Sequence, residues 1–159
     1  MAREVERKFL VAAAPEPDAI LGHTRLRQGY LAVDGGVEVR LRAADGATTL
    51  TVKAGAGLSR TEVEVRLDRS AADELWPHSA ARSLRKVRSR VSLPDGLVAE
   101  LDVYEGALAG LQTVEVEFPD AESAAAFSPP AWFGRELTGE PGWANAQLAS
   151  EGSPVPIQP

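Results

Sequence analysis

Apolar and charged positions alternate along most of the chain, a pattern typical of antiparallel strands whose two faces differ. The stretch VEVEF at 114–118 places Glu115 and Glu117 on one side of a strand and Val114 and Val116 on the other. The same alternation predicts strands at 3–11, 25–33, 37–43, 48–54, 60–68, 84–93, 97–105 and 112–118. Short strands joined by tight turns favour a sandwich or a barrel.

Helical signals are fewer, and they predict helices at 70–76, 120–127 and 141–149. Ser70 followed by Asp73 resembles a capping box at the start of the first helix. Asp120 is a candidate N-cap of the second helix, and Pro141 suits the first turn of the third. We expect the first two helices to cover the aliphatic face of the strands.

Length and composition fit one globular domain. The chain has 159 residues, of which 44% are apolar and 25% charged, so it can bury a single core. We expect the domain to cover 1–150, and 151–159 to form a disordered tail. No apolar run approaches about 18 residues and the N-terminus is charged, so neither a membrane span nor a signal peptide is expected. The cytoplasm is then the default location.

Several kinds of site are excluded by composition. Without cysteine there is no disulfide, no thiolate nucleophile and no cysteine-based zinc site. The two histidines, His23 and His78, are far apart in the sequence, which argues against a histidine-rich metal centre. A net charge of -6 argues against a general nucleic-acid binder, although it leaves room for a local basic pocket.

The charged faces of the predicted strands are nearly pure in sign. A face in water explains any one strand, but such faces normally mix both signs. Like charges two residues apart repel each other, and this repulsion is tolerated where a ligand of opposite sign binds. Eight acids share this face: Glu4, Glu6, Glu62, Glu64, Glu100, Asp102, Glu115 and Glu117. Six bases share it: Lys8, Arg40, Arg42, Lys53, Lys86 and Arg88.

These residues together carry a formal charge of -2, which two divalent cations would bring to +2 and thereby suit a polyanion. A closed barrel with charged side chains inside and aliphatic side chains outside, under helices, explains the whole pattern. Acidic pairs suit divalent metals, and basic pairs suit phosphate oxygens.

Glu4, Glu6 and Lys8 form an E-x-E-x-K motif that resembles the signature of the CYTH superfamily, also called triphosphate tunnel metalloenzymes. Later segments resemble further family blocks in the expected order: RLRQGYL (25–31), VRLRA (39–43), TVKAGAGLSRTEVEV (51–65), ELDVY (100–104), VEVEF (114–118) and PPAWFGRELTGEPGWANAQLA (129–149). The resemblance covers essentially all of 1–150, and it is strongest to short bacterial inorganic tripolyphosphatases.

The resemblance implies a mainly β protein: a closed eight-stranded antiparallel tunnel, a few flanking helices and a C-terminal helix near one mouth. Phosphate oxygens would be bound by Lys8, Arg40, Arg42, Lys53, Lys86 and Arg88. Mg²⁺ or Mn²⁺ would be bound by Glu4, Glu6, Glu115 and Glu117, with Glu62, Glu64 and Asp102 as further ligands or as supporting partners. Lys53 and Tyr30 occupy the places of a catalytic pair, and Tyr30 with Lys53 could move protons if burial among cations lowers their pKa values.

The resulting hypothesis is metal-assisted hydrolysis of inorganic tripolyphosphate to pyrophosphate and phosphate. Thiamine triphosphate, nucleoside triphosphates and cyclisation of ATP, as in class IV adenylate cyclases, remain alternatives with another substrate. A non-catalytic sensor of polyphosphate or nucleotides is an alternative of another class. The expected partner is a small polyanion rather than nucleic acid or membrane, and the resemblance is compatible with a homodimer.

Overall fold

The computed structural model describes residues 5–55 and 61–157. Its main element is one antiparallel sheet, and its strands in chain order are β1 (Val5–Val11), β2 (Ile20–Asp34), β3 (Val37–Ala44), β4 (Ala47–Ala54), β5 (Thr61–Leu67), β6 (Ser83–Ser92), β7 (Val98–Glu105), β8 (Gln112–Phe118) and β9 (Phe133–Glu136). The eight strands predicted from alternation are therefore confirmed, with β2 starting five residues earlier than expected.

The sheet has the order β5-β4-β3-β2-β6-β7-β8-β1-β9. The expected mainly β, antiparallel architecture is confirmed. It differs from the expected eight-stranded closed tunnel in two details. β9 is a ninth strand beyond the predicted eight, and within the described residues no hydrogen-bonded ladder joins the edge strands β5 and β9. β9 is short and lies in a segment rich in glycine and proline, so its alternation is too brief to detect.

Three α-helices accompany the sheet: α1 (Arg69–Leu75), α2 (Ala121–Ala126) and α3 (Asn145–Glu151). The N-cap of α2 is Asp120, as predicted, and its side chain accepts a hydrogen bond from the backbone of Ser123. The first predicted start is wrong, because Asp68 caps α1 by accepting from the Ala71 N–H.

The third helix also begins later than predicted. Gly142 has a φ of 87°, which interrupts a right-handed helix after Pro141, so α3 starts at Asn145. None of the helices in the described parts of the chain is both long and apolar enough to span a membrane.

The outer face of β1, β6, β7 and β8 carries the main apolar core. Its buried members include Phe9, Val114, Val116 and Phe118, and α2 covers them through Ala124. The ring of Phe133 on β9 also packs edge-on against Phe9, with 5.1 Å between ring centroids, and Phe127 and Trp132 pack at the margin. The covering of the aliphatic face that we expect from the second helix is confirmed.

A second apolar cluster lies at the end of the sheet where α3 packs. It contains Leu84, Tyr104, Leu108, Leu111, Leu137, Trp143 and Leu148. Glu151 is the last residue of α3, and Ile157 packs against this cluster. Ile157, within the range 151–159 for which the sequence predicts a disordered tail, thus contacts the domain.

Gly29 on β2 lies where a 3-10 segment, Trp76–Arg82, crosses the outer face of the sheet. A Cβ at this position would lie 2.7 Å from the Cβ of Ser79 and still closer to its hydroxyl oxygen. We therefore expect Gly29→Ala to lower the free energy of unfolding by about 2 kcal/mol, measured by denaturant titration.

Gly22→Ala is the matched control, because Gly22 lies on the same strand and a Cβ there would meet nothing within 4 Å. Equal stability of the two variants would contradict the close packing of Trp76–Arg82 on β2.

Candidate active site

The strand register brings the charged faces together. In antiparallel pairs, directly opposed residues point to the same side of the sheet. Lys8 opposes Glu115, Arg88 opposes Asp102, and Arg40 opposes Tyr30. The same face continues across the sheet and encloses a cavity of about 610 Å³.

The wall of this cavity contains ten of the predicted site residues: Glu6, Lys8, Tyr30, Arg40, Arg42, Lys53, Glu62, Arg88, Glu115 and Glu117. Two others, Lys86 and Asp102, lie fully buried beneath the wall. Glu64, on the edge strand β5, accepts a hydrogen bond from the hydroxyl of Thr51 on β4. Glu4 lies outside the described residues.

Arg40 and Arg42 are the least compensated cations of the cavity. Within the described residues, neither guanidinium forms an ion pair with a carboxylate, and the Nε of each is buried without a hydrogen-bond partner. Arg40 Nη2 donates a hydrogen bond to the hydroxyl of Thr51 at 3.4 Å. Burial, followed by repulsion from Arg40 and Arg88, lowers the pKa of Arg42. These guanidinium groups are therefore suited to an anionic ligand.

Lys86, Arg88 and Asp102 form a compact buried network beneath the cavity. Asp102 Oδ2 lies 2.6 Å from Lys86 Nζ, and the Arg88 Nε and Nη2 atoms each bind one Asp102 oxygen at 2.8 Å. Burial alone would raise the pKa of Asp102, but Lys86 and Arg88 outweigh burial and lower it. Both oxygens of Asp102 are thus engaged by cations, a geometry that favours a supporting role over metal ligation.

A second buried pair lies beside this network. Glu115 Oε1 is 2.9 Å from Lys8 Nζ, and Glu115 Oε2 is 3.6 Å from Arg88 Nη2. Arg88 also pairs with Glu100, the next acid along β7. Burial would lower the pKa of Arg88, but its bonds to Asp102 and the nearby acids reverse this effect and raise it. On this side of the cavity the cations are largely neutralised by the protein itself.

Glu6 and Glu117 are directly opposed on β1 and β8, with Glu115 nearby. Desolvation in the cavity, followed by repulsion from Glu115 and then Glu117, raises the pKa of Glu6 to about 7 against the attraction of Lys8. Water reaches this carboxylate from the cavity, but the crowding of like charges remains unfavourable. A cation placed between these carboxylates would relieve the repulsion.

A metal ion fits this part of the site on the chemistry of its donors. Within 5–55 and 61–157, no group of three or more acidic or histidine side chains is placed to hold an ion alone. Mg²⁺ is usually held by only one or two carboxylates together with substrate phosphates and water. Glu6 and Glu117, which are directly opposed and line the cavity, are two such carboxylates.

Lys53 lies between two acids from neighbouring strands. Glu62 Oε2 is 3.4 Å from Lys53 Nζ, and Glu38 opposes Lys53 on β3. Glu38 also lines the cavity, and the sequence analysis did not select it. The alternation of β3 places Glu38 on the interior face, two residues before Arg40, and this position is the sequence signal for its place in the cavity wall.

Tyr30 is almost fully buried in the cavity wall, and its hydroxyl oxygen accepts a hydrogen bond from Gln28 Nε2 at 3.2 Å. Desolvation, followed by the charge of Glu38, raises the pKa of Tyr30 to about 12, although Arg40 opposes this. The lowered pKa that a proton-accepting role required is therefore not found. Tyr30 keeps its proton at neutral pH, so its hydroxyl can donate a hydrogen bond.

The C-terminal segment closes one side of the cavity. Leu137, Trp143 and Asn145 contribute to the lining. Asn145 at the start of α3 accepts a hydrogen bond from the Tyr104 hydroxyl at 2.7 Å, which fixes the helix to β7. The expected position of a C-terminal helix near one mouth is confirmed. The role of Asn145 was not predicted, because its partner is distant in sequence.

The antiparallel sheet thus encloses a cavity in which guanidinium groups and directly opposed carboxylates share one wall. The chain belongs to the CYTH domain family, whose family model matches residues 2–137. This match confirms the resemblance inferred from the E-x-E-x-K motif and the later blocks.

Two similar proteins are named inorganic triphosphatases. The one from Nitrosomonas europaea (strain ATCC 19718) is 44% identical over 147 residues, which cover 92% of this chain and 96% of that protein. The one from Acetivibrio thermocellus (strain ATCC 27405) is 33% identical over 150 residues, which cover 93% of this chain and 94% of that protein.

Solved structures support the fold. A crystal structure of an inorganic triphosphatase superimposes with a TM-score of 0.74 at 40% identity and covers 94% of this chain and 96% of its own. A Hippeastrum protein, described as a candidate adenylyl cyclase with dominant triphosphatase activity, has a TM-score of 0.57 at 17% identity, covering 77% of this chain and 82% of its own. The second likeness shows the fold alone.

The crowding around Glu6 predicts a pH-dependent stability. Between about pH 4.5 and pH 7, the unfolded chain loses the Glu6 proton while the folded protein keeps it, so the free energy of unfolding falls as pH rises. Glu6→Gln cannot ionise. After allowance for screening by cavity water, we expect it to be about 1 kcal/mol more stable than the parent at about pH 8 and equally stable at about pH 4.

This difference is measured by denaturant titration without metal, with Glu16→Gln as a control on an exposed loop carboxylate. A variant no more stable than the parent at about pH 8 would show that Glu6 is not crowded by like charges.

Proposed function

We propose that this protein hydrolyses triphosphate substrates, with inorganic tripolyphosphate as the main substrate and pyrophosphate and phosphate as products. The observation that carries the proposal is that, among the described residues, neither Arg40 nor Arg42 forms an ion pair with a carboxylate. Both line the cavity that also contains the opposed acids Glu6 and Glu117. The names of the two similar proteins, from Nitrosomonas europaea and Acetivibrio thermocellus, support the same activity.

The cations of the cavity would bind the substrate in two ways. Arg40 and Arg42 supply planar donors for two phosphate groups, and Lys53 adds a mobile point charge beside them. Lys8 and Arg88 are held in place by Glu115 and Asp102, so they present fixed positive charge to the substrate. Fixed donors stabilise charge that develops on the phosphoryl oxygens without needing to reorganise during the reaction.

Metal dependence is part of the proposal. Glu6 and Glu117 would hold Mg²⁺ or Mn²⁺, with Glu4 of the E-x-E-x-K motif as a third candidate. Such an ion would neutralise phosphate charge and lower the pKa of a bound water. Loss of the Glu6 proton, whose pKa is about 7, prepares that carboxylate for a cation.

The reaction itself is a substitution at the terminal phosphorus. A water oxygen forms the new P–O bond and releases one proton to the cavity solvent, the bond to the bridging oxygen breaks, and pyrophosphate leaves with the electron pair. Tyr30 retains its proton and can donate a hydrogen bond to a phosphoryl oxygen. Lys53, beside Glu62, is the candidate to stabilise the leaving oxygen.

The proposal is tested by incubating the purified protein with inorganic tripolyphosphate, ATP or thiamine triphosphate. Each incubation contains Mg²⁺, Mn²⁺ or a chelator, and phosphate, pyrophosphate and cyclic AMP are measured. We expect fast metal-dependent release of phosphate from tripolyphosphate and slow release from the others. Arg25→Ala is a suitable control, since the Arg25 side chain is 83% exposed outside the cavity.

Cyclic AMP from ATP would identify a cyclase instead. Tight binding of tripolyphosphate without turnover would identify a non-catalytic sensor. Either result would overturn the proposed hydrolase activity.

A further inference from the structure

Gln28 is a fully buried amide on β2, two residues before Tyr30 and on the same interior face. Its Nε2 donates to the Tyr30 hydroxyl oxygen at 3.2 Å. Its Oε1 is buried and has no hydrogen-bond partner among the described residues. Packing alone does not explain this residue, because an apolar side chain of the same length would fill the space without leaving a buried acceptor unpaired.

The hydrogen bond from Gln28 determines that the Tyr30 hydroxyl acts as an acceptor toward Gln28 and as a donor toward other groups. Because the phenolic oxygen accepts from Gln28, the hydroxyl proton of Tyr30 is free to point elsewhere, and Tyr30 lines the cavity. The amide of Gln28 therefore directs a hydrogen-bond donor toward the space that a substrate would fill.

The unpaired oxygen of Gln28 has an obvious candidate partner on the next strand. Gln28 and Arg42 are directly opposed in the β2–β3 register, and their side chains share the interior face. Opposed Cβ atoms in such a pair lie about 5 Å apart, within reach of an amide and a guanidinium group. Among residues 5–55 and 61–157, Arg42 Nε is a buried donor without an acceptor, and Gln28 Oε1 is a buried acceptor without a donor.

We propose that Gln28 is a positioning residue that links Tyr30 and Arg42. Its Nε2 holds the Tyr30 hydroxyl with the proton toward the cavity, and its Oε1 accepts the Arg42 Nε–H when a polyphosphate aligns the guanidinium group. This inference rests on the proposed function, because it assigns Gln28 to the same anion site. Gln28 touches no reacting atom and acts through its two neighbours.

Two double-mutant cycles test the link, one pairing Gln28→Met with Tyr30→Phe and the other pairing it with Arg42→Lys. For each protein we would measure kcat and KM for tripolyphosphate with Mg²⁺, and the Kd for tripolyphosphate in chelator by calorimetry. Gln28→Met alone is expected to lower kcat about 10-fold and to raise Kd about 5-fold. In the Tyr30→Phe background the further loss of kcat should disappear, and in the Arg42→Lys background the further rise in Kd should disappear.

Thr113→Val is the matched control, because Thr113 is also fully buried on the interior face but its hydroxyl approaches Tyr104. Its effects should add to those of Tyr30→Phe and Arg42→Lys. If Gln28→Met does not fold, Gln28→Asn replaces it, since the shorter amide reaches neither neighbour. Additive effects of Gln28 in either cycle would overturn the proposal, and so would a failure of the parent protein to bind tripolyphosphate.

The metal-free Kd separates this proposal from the proposed function. A parent protein that binds tripolyphosphate but does not hydrolyse it would refute the hydrolase. Both cycles would then be judged on Kd, where coupling of Gln28 to Tyr30 and Arg42 would still support the positioning role.

Discussion

Arg42→Ala is expected to lower kcat/KM for tripolyphosphate about 10³-fold, because Arg42 supplies a charged donor in the cavity for charge that grows on the phosphoryl oxygens. Its guanidinium group has no carboxylate partner among the described residues, so nothing in the protein already uses its charge. Stability should not fall with activity, since burial disfavours this cation in the empty cavity and lowers its pKa. Steady-state kinetics and thermal unfolding on the same protein measure the two effects.

Arg42→Lys separates charge from geometry. Lysine retains the positive charge but lacks the planar fork, so we expect it to recover only about a tenth of the lost activity. If Arg42→Ala keeps an activity within about threefold of the parent, the substrate does not bind at Arg42. A large loss of stability would show that Arg42 has an internal partner.

Asp102→Asn is expected to lower the free energy of unfolding by about 4 kcal/mol near neutral pH. The change removes the charge that compensates two buried cations, Lys86 and Arg88, and breaking a buried ion pair from one side typically costs about this much. The pKa of Asp102 is lower when folded than unfolded, so its contribution is complete above the unfolded pKa and disappears as pH falls through the folded one. Denaturant titration at several pH values measures both the size and the pH profile.

Lys86→Met is the companion variant, because it removes one of the two cations that depend on Asp102. In the double variant with Asp102→Asn, one fewer charge is left buried, so the loss should be smaller than the sum of the single losses. A parent-like stability of Asp102→Asn at neutral pH would mean that these groups are hydrated in solution rather than buried together.

Alternation predicted which residues share the interior face, because side-chain direction in a strand follows from sequence position alone. It could not predict which strands are neighbours, since pairing depends on contacts distant in the chain. The interior charges of β6 are all positive and those of β7 are all negative, and alternation alone did not show that these two strands are neighbours. We attributed such purity to a ligand of opposite sign, but Arg88 on β6 and Asp102 on β7 neutralise each other across the ladder.

Other charges of the interior face are arranged differently. Glu6 and Glu117 are like charges on neighbouring strands, and Arg40 and Arg42 have no carboxylate partner among the described residues. This arrangement supports the proposed binding of an anion by Arg40 and Arg42. Gln28 was not predicted as a site residue, because a neutral amide adds nothing to a charge pattern. Its proposed role depends on Tyr30 and Arg42, which are its neighbours in space.

The unjoined edges of the sheet bear on how the protein could hold substrates of different size. A barrel closed by hydrogen bonds has a circumference fixed by its strand number and stagger. In the described residues no ladder ties β5 to β9, so the girth of this wall is not set in that way. The interior charges of the two edge regions, Lys53 on β4 and Glu6 on β1, therefore line one cavity without a continuous hydrogen-bonded ring around it in the described residues.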